Sequence, residues 1–444
     1  MSPVALANRA TQGIALDHHD LPVSNLYVEE LKYLDVEPLT RTRWFNGVSA
    51  YLEEDQLALV ANLPFVDRIQ PVLGLQGRIS EKQIQSSAVQ EDDFTHLRQL
   101  EMIGLDQLHY SGLTGKGIRV AVFDNGFDQV DELPGFRHLF AENRIIATRD
   151  LVDGDEDVYH PCSHCRHGTY VFSILAAVMP GELIGSAPGA EFILLRTEND
   201  DSETRQEEDN WLAAAEFADS LGAQIFTTSL GYYNFDGSAE DYGPNDLNGN
   251  TALITRAGDM AASRGILVVN SAGNSGSRGL VAPADGDSVI VVGAVDYQSQ
   301  YASFSSRGPR VDGAVKPNLA AMGRDNFFLH PNGGIRQGSG TSFSCPMVSG
   351  LAACLWQAYP QLSAWEIYNF MRNSASQAFN PDGFMGYGIP NGLRAIESMQ
   401  QSLIPQTDFS LRDDYRSALS FPQDQFVSYP NPAQDHLYLK VELG

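Results

Sequence analysis

The chain has 444 residues, 43% hydrophobic and 19% charged. That is a globular composition, long enough for one large domain with appendages and unlike a disordered polymer. A formal net charge of −27 would repel phosphates and argues against nucleic acid as a partner. No apolar run is long enough to span a bilayer, and the first twenty residues lack the basic start and apolar block of a secretory leader, so the sequence reads as beginning after one.

In chain order, residues 1–75 read as a small α+β unit. Leu26–Asp35 has apolar spacing compatible with helix or strand, Gly47–Leu52 alternates like a strand, Glu54–Asn62 suits a short amphipathic helix, and Val66–Val72 suits another strand. Residues 76–93 (Gln76–Asp93) are polar and read as an exposed linker. A second region, 94–400, alternates strand, loop and helix from Gly115 onward. Its strand candidates are Ile118–Phe123, Phe192–Leu195, Gln224–Leu230, Gly265–Asn270 and Val289–Val295. Helical spacing follows His167 through Val171, Ile174, Leu175 and Val178, and recurs over Trp211–Leu221 and Ala252–Ser263. Such alternation predicts an α/β fold whose parallel sheet carries helices on both faces. Two helices, Ser342–Tyr359 and Ser363–Ser374, close the region. Residues 401–426 form a second polar linker, and a Pro-Asn-Pro turn then leads into the alternating strand His436–Val441.

Three motifs carry chemistry. In Gly115-Lys-Gly-Ile-Arg-Val-Ala-Val-Phe-Asp124-Asn-Gly126 a buried strand ends in a carboxylate at its C-terminal edge, where open α/β sheets place their sites. Alone, Asp124 could equally cap a turn. His167-Gly-Thr-Tyr170 opens an amphipathic helix, whose positive dipole end disfavours a charged imidazole. A histidine that cycles a proton there needs a carboxylate partner; a structural histidine is the alternative. In Gly338-Ser-Gly-Thr-Ser342-Phe-Ser-Cys-Pro346 a hydroxyl starts a long apolar helix behind glycines that admit a close backbone approach. A plain N-cap is the other reading. Ser344 stands where the Gly-x-Ser-x-Gly elbow would have its last glycine, so the motif is not that elbow.

The order Asp, His, Ser on an α/β chain is the order found in subtilisin. With all three blocks and their glycines in place, the chain from about Gly115 to Ile396 resembles the subtilisin-like (subtilase) family of serine peptidases. The resemblance implies a three-layer α/β fold with a mostly parallel central sheet, plus a small α+β prodomain. It implies an endopeptidase acting on proteins or peptides, with Asp124, His167 and Ser342 as its triad and no required cofactor or metal. In Asn270-Ser-Ala-Gly-Asn274-Ser-Gly276 it gives Asn274 the role of oxyanion donor, beside the N–H of Ser342. Ser229, Leu230 and Gly231 would pair with an extended substrate. Ala272 and Gly273 would border the pocket for the residue preceding the scissile bond.

The flanks resemble known companions of that family. Phe45–Leu52, Glu54–Val66 and Asp67–Val72 resemble a propeptide of the inhibitor I9 type, which implies an intramolecular inhibitor removed by cleavage within residues 76–93. Tyr429-Pro-Asn-Pro-Ala433, with Asp435 and Leu437, resembles the start of a type IX secretion sorting domain. Residues 427–444 would then be its truncated beginning, the secretion machinery a partner, and the protein secreted or held at the cell surface. In His160-Pro-Cys162-Ser-His164-Cys165-Arg-His167 the Cys-x-x-Cys spacing could bind zinc. A matching second pair is missing, so a local Cys162–Cys165 disulfide is the expected reading, with two free thiols as the alternative. Cys345 and Cys354 read as small packing residues. The stretch Asp150–Asp157 could hold a structural calcium ion, or be a solvated acidic loop. Two other function classes compete: an inactive subtilase-fold module that binds peptides, against which the intact triad and Asn274 argue, and a zinc hydrolase built on the Cys/His cluster.

Overall fold

In the computed structural model the described residues are 1–73, 86–88, 97–161, 165–199, 202–236, 241–403 and 437–443. The N-terminal unit contains α1 (Pro3–Thr11), α2 (Asn25–Tyr33), β1 (Pro38–Thr42), β2 (Gly47–Leu52), α3 (Glu54–Ala61) and β3 (Val66–Leu73). The ambiguous stretch 26–35 is therefore helical: Ser24 caps it by accepting from the Leu26 N–H, and Val28 and Leu31, three apart, face inward. These side chains pack with Val48, Ala50, Leu52 and Val60 into a small core of the unit's own. The sequence pattern gave no signal for α1 or β1, whose exposed faces leave little periodicity to read.

The chain continues through β4 (Ser86–Ala88), α4 (Arg98–Glu101), α5 (Leu105–Tyr110), β5 (Arg119–Asp124), α6 (Arg137–Ala141), β6 (Ile145–Asp150), α7 (His167–Ala176), β7 (Val178–Met179), β8 (Leu183–Ile184) and β9 (Glu191–Arg196). It then forms α8 (Gln206–Leu221), β10 (Ile225–Thr228), α9 (Leu253–Ser263), β11 (Leu267–Ser271), β12 (Ile290–Val295), β13 (Leu319–Met322), β14 (Asn326–Leu329) and β15 (Ile335–Gly338). Helices α10 (Thr341–Ala358), α11 (Ala364–Ser374) and α12 (Gly392–Leu403) and strand β16 (Leu437–Leu443) complete it.

Seven strands make the central sheet in the order β13-β12-β11-β10-β5-β9-β6, each pair parallel. Alternate side chains of one strand point to opposite faces, and the two faces hold two cores. Val120 and Val122 join the core with Phe172, Phe343 and Val348, on the side of α7 and α10. Ala121 and Phe123 join Trp211, Ala215 and Ile254 on the side of α8 and α9. Strands buried on both faces need unbroken apolar runs, which is why the inner strands were legible. The edge strands β6 and β13 were not, because the first carries Thr148, Arg149 and Asp150 and the second is four residues long.

Within the expected linker, β4 pairs antiparallel with β15, Ser86 opposite Gly338. The expected strand His436–Val441 is present as β16, which lies parallel between β2 and β3.

Phe172 is fully buried, stacked on Phe136 with ring centroids 4.9 Å apart and edge-on to Phe192 at 5.0 Å. Phe172→Ala should cost about 3–5 kcal/mol through lost burial and the cavity left behind, read as a lower chemical denaturation midpoint. The thiol of Cys345 is enclosed beside Thr227 and Thr228, and burial pushes its pKa up to about 11 from 9.0. It is therefore protonated at pH 8, and iodoacetamide at that pH should modify it only after denaturation.

Candidate active site

Strand β5 delivers Asp124 to the C-terminal edge of the sheet, fully buried. Its Oδ1 accepts hydrogen bonds from the Asn125 N–H at 2.9 Å and from His167 Nδ1 at 2.7 Å. His167 is the first residue of α7, so the carboxylate faces the end of a helix that disfavours imidazolium. The close approach depends on Gly168. A Cβ there would lie 2.1 Å from the Gly126 carbonyl oxygen and 2.9 Å from Asp124 Cβ. Only glycine lets the first turn of α7 settle on the end of β5. Gly126, at φ +137°, has Cys165 against it in the same way, with a built Cβ 2.7 Å from Cys165 Cβ.

Ser342 is the second residue of α10, and α10 packs along α7. Pro346 lies four residues further on and has no N–H, so the Ser342 carbonyl loses its helical donor. Ser229 Oγ donates to that carbonyl instead, at 3.0 Å. Ser229 directly follows β10, and Thr228 is in register with Phe123, which sets Ser229 level with Asp124 on neighbouring strands. Serine, histidine and carboxylate are thus gathered at one sheet edge. As the second helical residue, Ser342 also offers one of the N–H groups that a helix leaves without an internal acceptor.

Asn274 lies three residues beyond β11, exposed, with its side chain held in one orientation. Its Oδ1 accepts from the Thr341 N–H at 2.9 Å and from Thr341 Oγ1 at 3.1 Å. With the oxygen engaged, the Nδ2 amide is left to donate at the start of α10. Thr341 Oγ1 also accepts from the Gly273 N–H at 3.1 Å, which ties the Ala272-Gly273 segment to the same turn. Of the sequence-expected residues, Asp124, His167, Ser342, Asn274, Ser229, Leu230, Gly231, Ala272 and Gly273 all fall at this edge, at the end of β5, just beyond β10 and β11, and at the starts of α7 and α10.

The N-terminal unit is seated on α8. Glu216 of α8 accepts from Thr42 Oγ1 at 2.5 Å and from the N–H groups of Arg43 and Trp44, each at 3.1 Å. Burial raises the Glu216 pKa, and these donors pull against that rise. Asp219, one turn on, pairs with Arg9 at 2.9 Å and Arg43 at 3.0 Å. Ser49 Oγ donates to Asp209 at 2.7 Å. Trp44 and Phe45 enter the core that holds Phe123 and Trp211. Sequence reasoning missed Glu216 and Asp219. Their signal was two carboxylates spaced three apart within an otherwise Ala-rich apolar helix.

Cys165 is disulfide-bonded, while Cys345 and Cys354 are free thiols; Cys162 lies outside the described residues. In the stretch considered for calcium, Asp150 is fully buried and its Oδ2 accepts from Arg196 Nη1 at 2.6 Å, and Asp153 Oδ2 accepts from the same nitrogen at 2.5 Å. The Arg196 guanidinium thus balances the charge of both carboxylates. No helix among the described residues is long and apolar enough to cross a membrane.

Comparison with known proteins agrees with this geometry. Residues 115–388 match the subtilase family, and residues 1–90 match the peptidase S8 propeptide domain of Bacteroidota. The chain is 29% identical over 297 residues to subtilisin DY of Bacillus licheniformis, covering 66% of this chain and 95% of that protein. It is 30% identical over 315 residues to the serine protease AprX of Bacillus subtilis (strain 168), covering 64% of this chain and 67% of AprX. The prenylagaramide maturation protease PagA superposes with a TM-score of 0.53 at 26% identity, over 66% of this chain and 97% of PagA. The matched span contains every residue gathered at the sheet edge, and the chain belongs to the subtilase family of serine peptidases.

Proposed function

We propose that Ser342, His167 and Asp124 form a catalytic triad that hydrolyses peptide bonds through an acyl-enzyme. Ser342 Oγ attacks the carbonyl carbon, and its proton passes to His167 Nε2. Asp124, bonded at Nδ1, fixes the tautomer and stabilises the imidazolium. The Ser342 N–H and Asn274 Nδ2 receive the oxyanion. His167 then gives its proton to the leaving amine, and water, deprotonated by the same imidazole, releases the acyl group. All groups in these steps come from the chain, so the reaction needs no cofactor. The observation that carries this reading is the 2.7 Å bond from His167 to a buried carboxylate, at the edge where Ser229 holds Ser342.

An extended substrate would lie along Ser229, Leu230 and Gly231 on one side and Ala272 and Gly273 on the other, as an added strand. Residues 1–75 act on this reading as an intramolecular inhibitor, released after cleavage in the segment 76–93. The pairing of β4 with β15, which leads into the Ser342 turn, supports a path for that segment near the site. The disulfide-bonded Cys165 supports a secreted or cell-surface enzyme, with residues 427–444 addressing the secretion machinery.

A fluorophosphonate probe should label the processed enzyme, and Ser342→Ala should abolish both labelling and peptidase activity; labelling that survives the substitution would sink the triad. Asn274→Ala should lower kcat about 10²–10³-fold with little change in KM. That magnitude is the one known for the equivalent donor of subtilisin, a relative, rather than one obtained from this structure. Glu216→Ala removes an acceptor shared by three donors, each bond to a charged group being worth about 1.5–3 kcal/mol. Residues 1–75 should then dissociate more readily, and the lag between linker cleavage and the onset of activity should shorten roughly tenfold or more.

A further inference from the structure

We infer that the pocket for the residue preceding the scissile bond is plugged by Val281, so that the enzyme cleaves after small residues: glycine, alanine and serine. The inference rests on the serine peptidase reading above and names the substrate class of that same site.

Two glycines stand on the two backbone segments that flank Ser342. Gly231 is two residues beyond Ser229, which holds the Ser342 carbonyl, and Gly273 directly precedes Asn274. Glycines on both walls would ordinarily leave a wide slot for a large side chain. Here a methyl of Val281 crowds the space beside both, joined at Gly273 by Ser306 Oγ, which a built Cβ would also approach to 3.0 Å. A Cβ built on Gly231 would lie 2.3 Å from Val281 Cγ2, and one built on Gly273 would lie 3.0 Å from the same atom. The methyl therefore sits against both walls at once.

Val281 is held there from its own backbone. The next residue, Ala282, exchanges two hydrogen bonds with Tyr232: Tyr232 N–H to the Ala282 carbonyl at 2.8 Å, and Ala282 N–H to the Tyr232 carbonyl at 3.0 Å. Tyr232 is fully buried, as is Ala282. The bridge fixes the backbone next to Val281, and from there its side chain reaches diagonally across to Gly231; Val281 itself is half-buried. A β-branched side chain has few χ1 alternatives, and rotation about χ1 would carry its second methyl toward one wall or the other. A substrate acylating Ser342 would bring its side chain between the Gly231 and Gly273 backbones. A methyl or hydroxymethyl group needs little of that slot, whereas a leucine or phenylalanine side chain would have to displace Val281 from between two backbone walls.

The test uses the processed wild-type enzyme, Val281→Gly and Val281→Ala, with a fluorophosphonate probe and a peptide library varied at the residue preceding the cleaved bond. Wild type should favour Ala, Gly and Ser over Leu and Phe by roughly tenfold or more in kcat/KM. Both variants should raise kcat/KM for Leu and Phe relative to Ala, Val281→Gly by roughly tenfold to a hundredfold. A wild-type enzyme that takes the probe yet cleaves after Leu or Phe as well as after Ala overturns the plugged pocket and leaves the peptidase reading intact. So does a variant that takes the probe with an unchanged profile. A wild type that never takes the probe overturns the peptidase reading and this inference with it. Should Val281→Gly fail to fold, the wild-type and Val281→Ala profiles decide.

Discussion

The contact on which the site depends is between two backbones: the first turn of α7 resting on the end of β5. It exists because residue 168 has no side chain to strike the Gly126 carbonyl. From it follow the short bond between His167 and Asp124 and the burial of the carboxylate. The packing of α10 along α7 then places the Ser342 turn. Rigid elements supply this precision, and the loops between them are left to vary.

A second constraint works on α10. Pro346 breaks the helical ladder one turn after Ser342, and Ser229 mends it from the neighbouring strand. The proline thereby couples the serine to the segment that borders the substrate groove. A helix complete in its own hydrogen bonds would have no need of Ser229, and the groove wall would be tied less directly to the attacking hydroxyl.

Much of this was legible in the sequence, for identifiable reasons. The inner strands announced themselves as unbroken apolar runs, since both their faces are covered. The residues of the site announced themselves as local motifs whose chain order is diagnostic. What escaped was whatever depends on a partner distant in sequence. Glu216 and Asp219 looked like ordinary polar residues of α8, yet they receive Thr42, Arg43, Trp44 and Arg9 across more than 170 positions of chain. The buried pairing of Asp150 with Arg196, 46 positions further on, likewise left no trace in the local pattern. Val281 carried no motif, because its effect arises only where two glycines face it. The edge strands β6 and β13 were too short or too polar for periodicity to betray them.

Trp44 is wholly enclosed, and it sits with Phe45 in the same apolar cluster as Phe123 and Trp211 of the enzyme body. The leader is thus part of the hydrophobic interior of the protein it precedes. Were that unit to leave, as proposed, this cluster would lose an indole and a phenyl ring, and Glu216 and Asp219 would meet water in place of Thr42, Arg43, Trp44 and Arg9. The flank so uncovered would be apolar and acidic together, a surface matched to the very segment that had covered it.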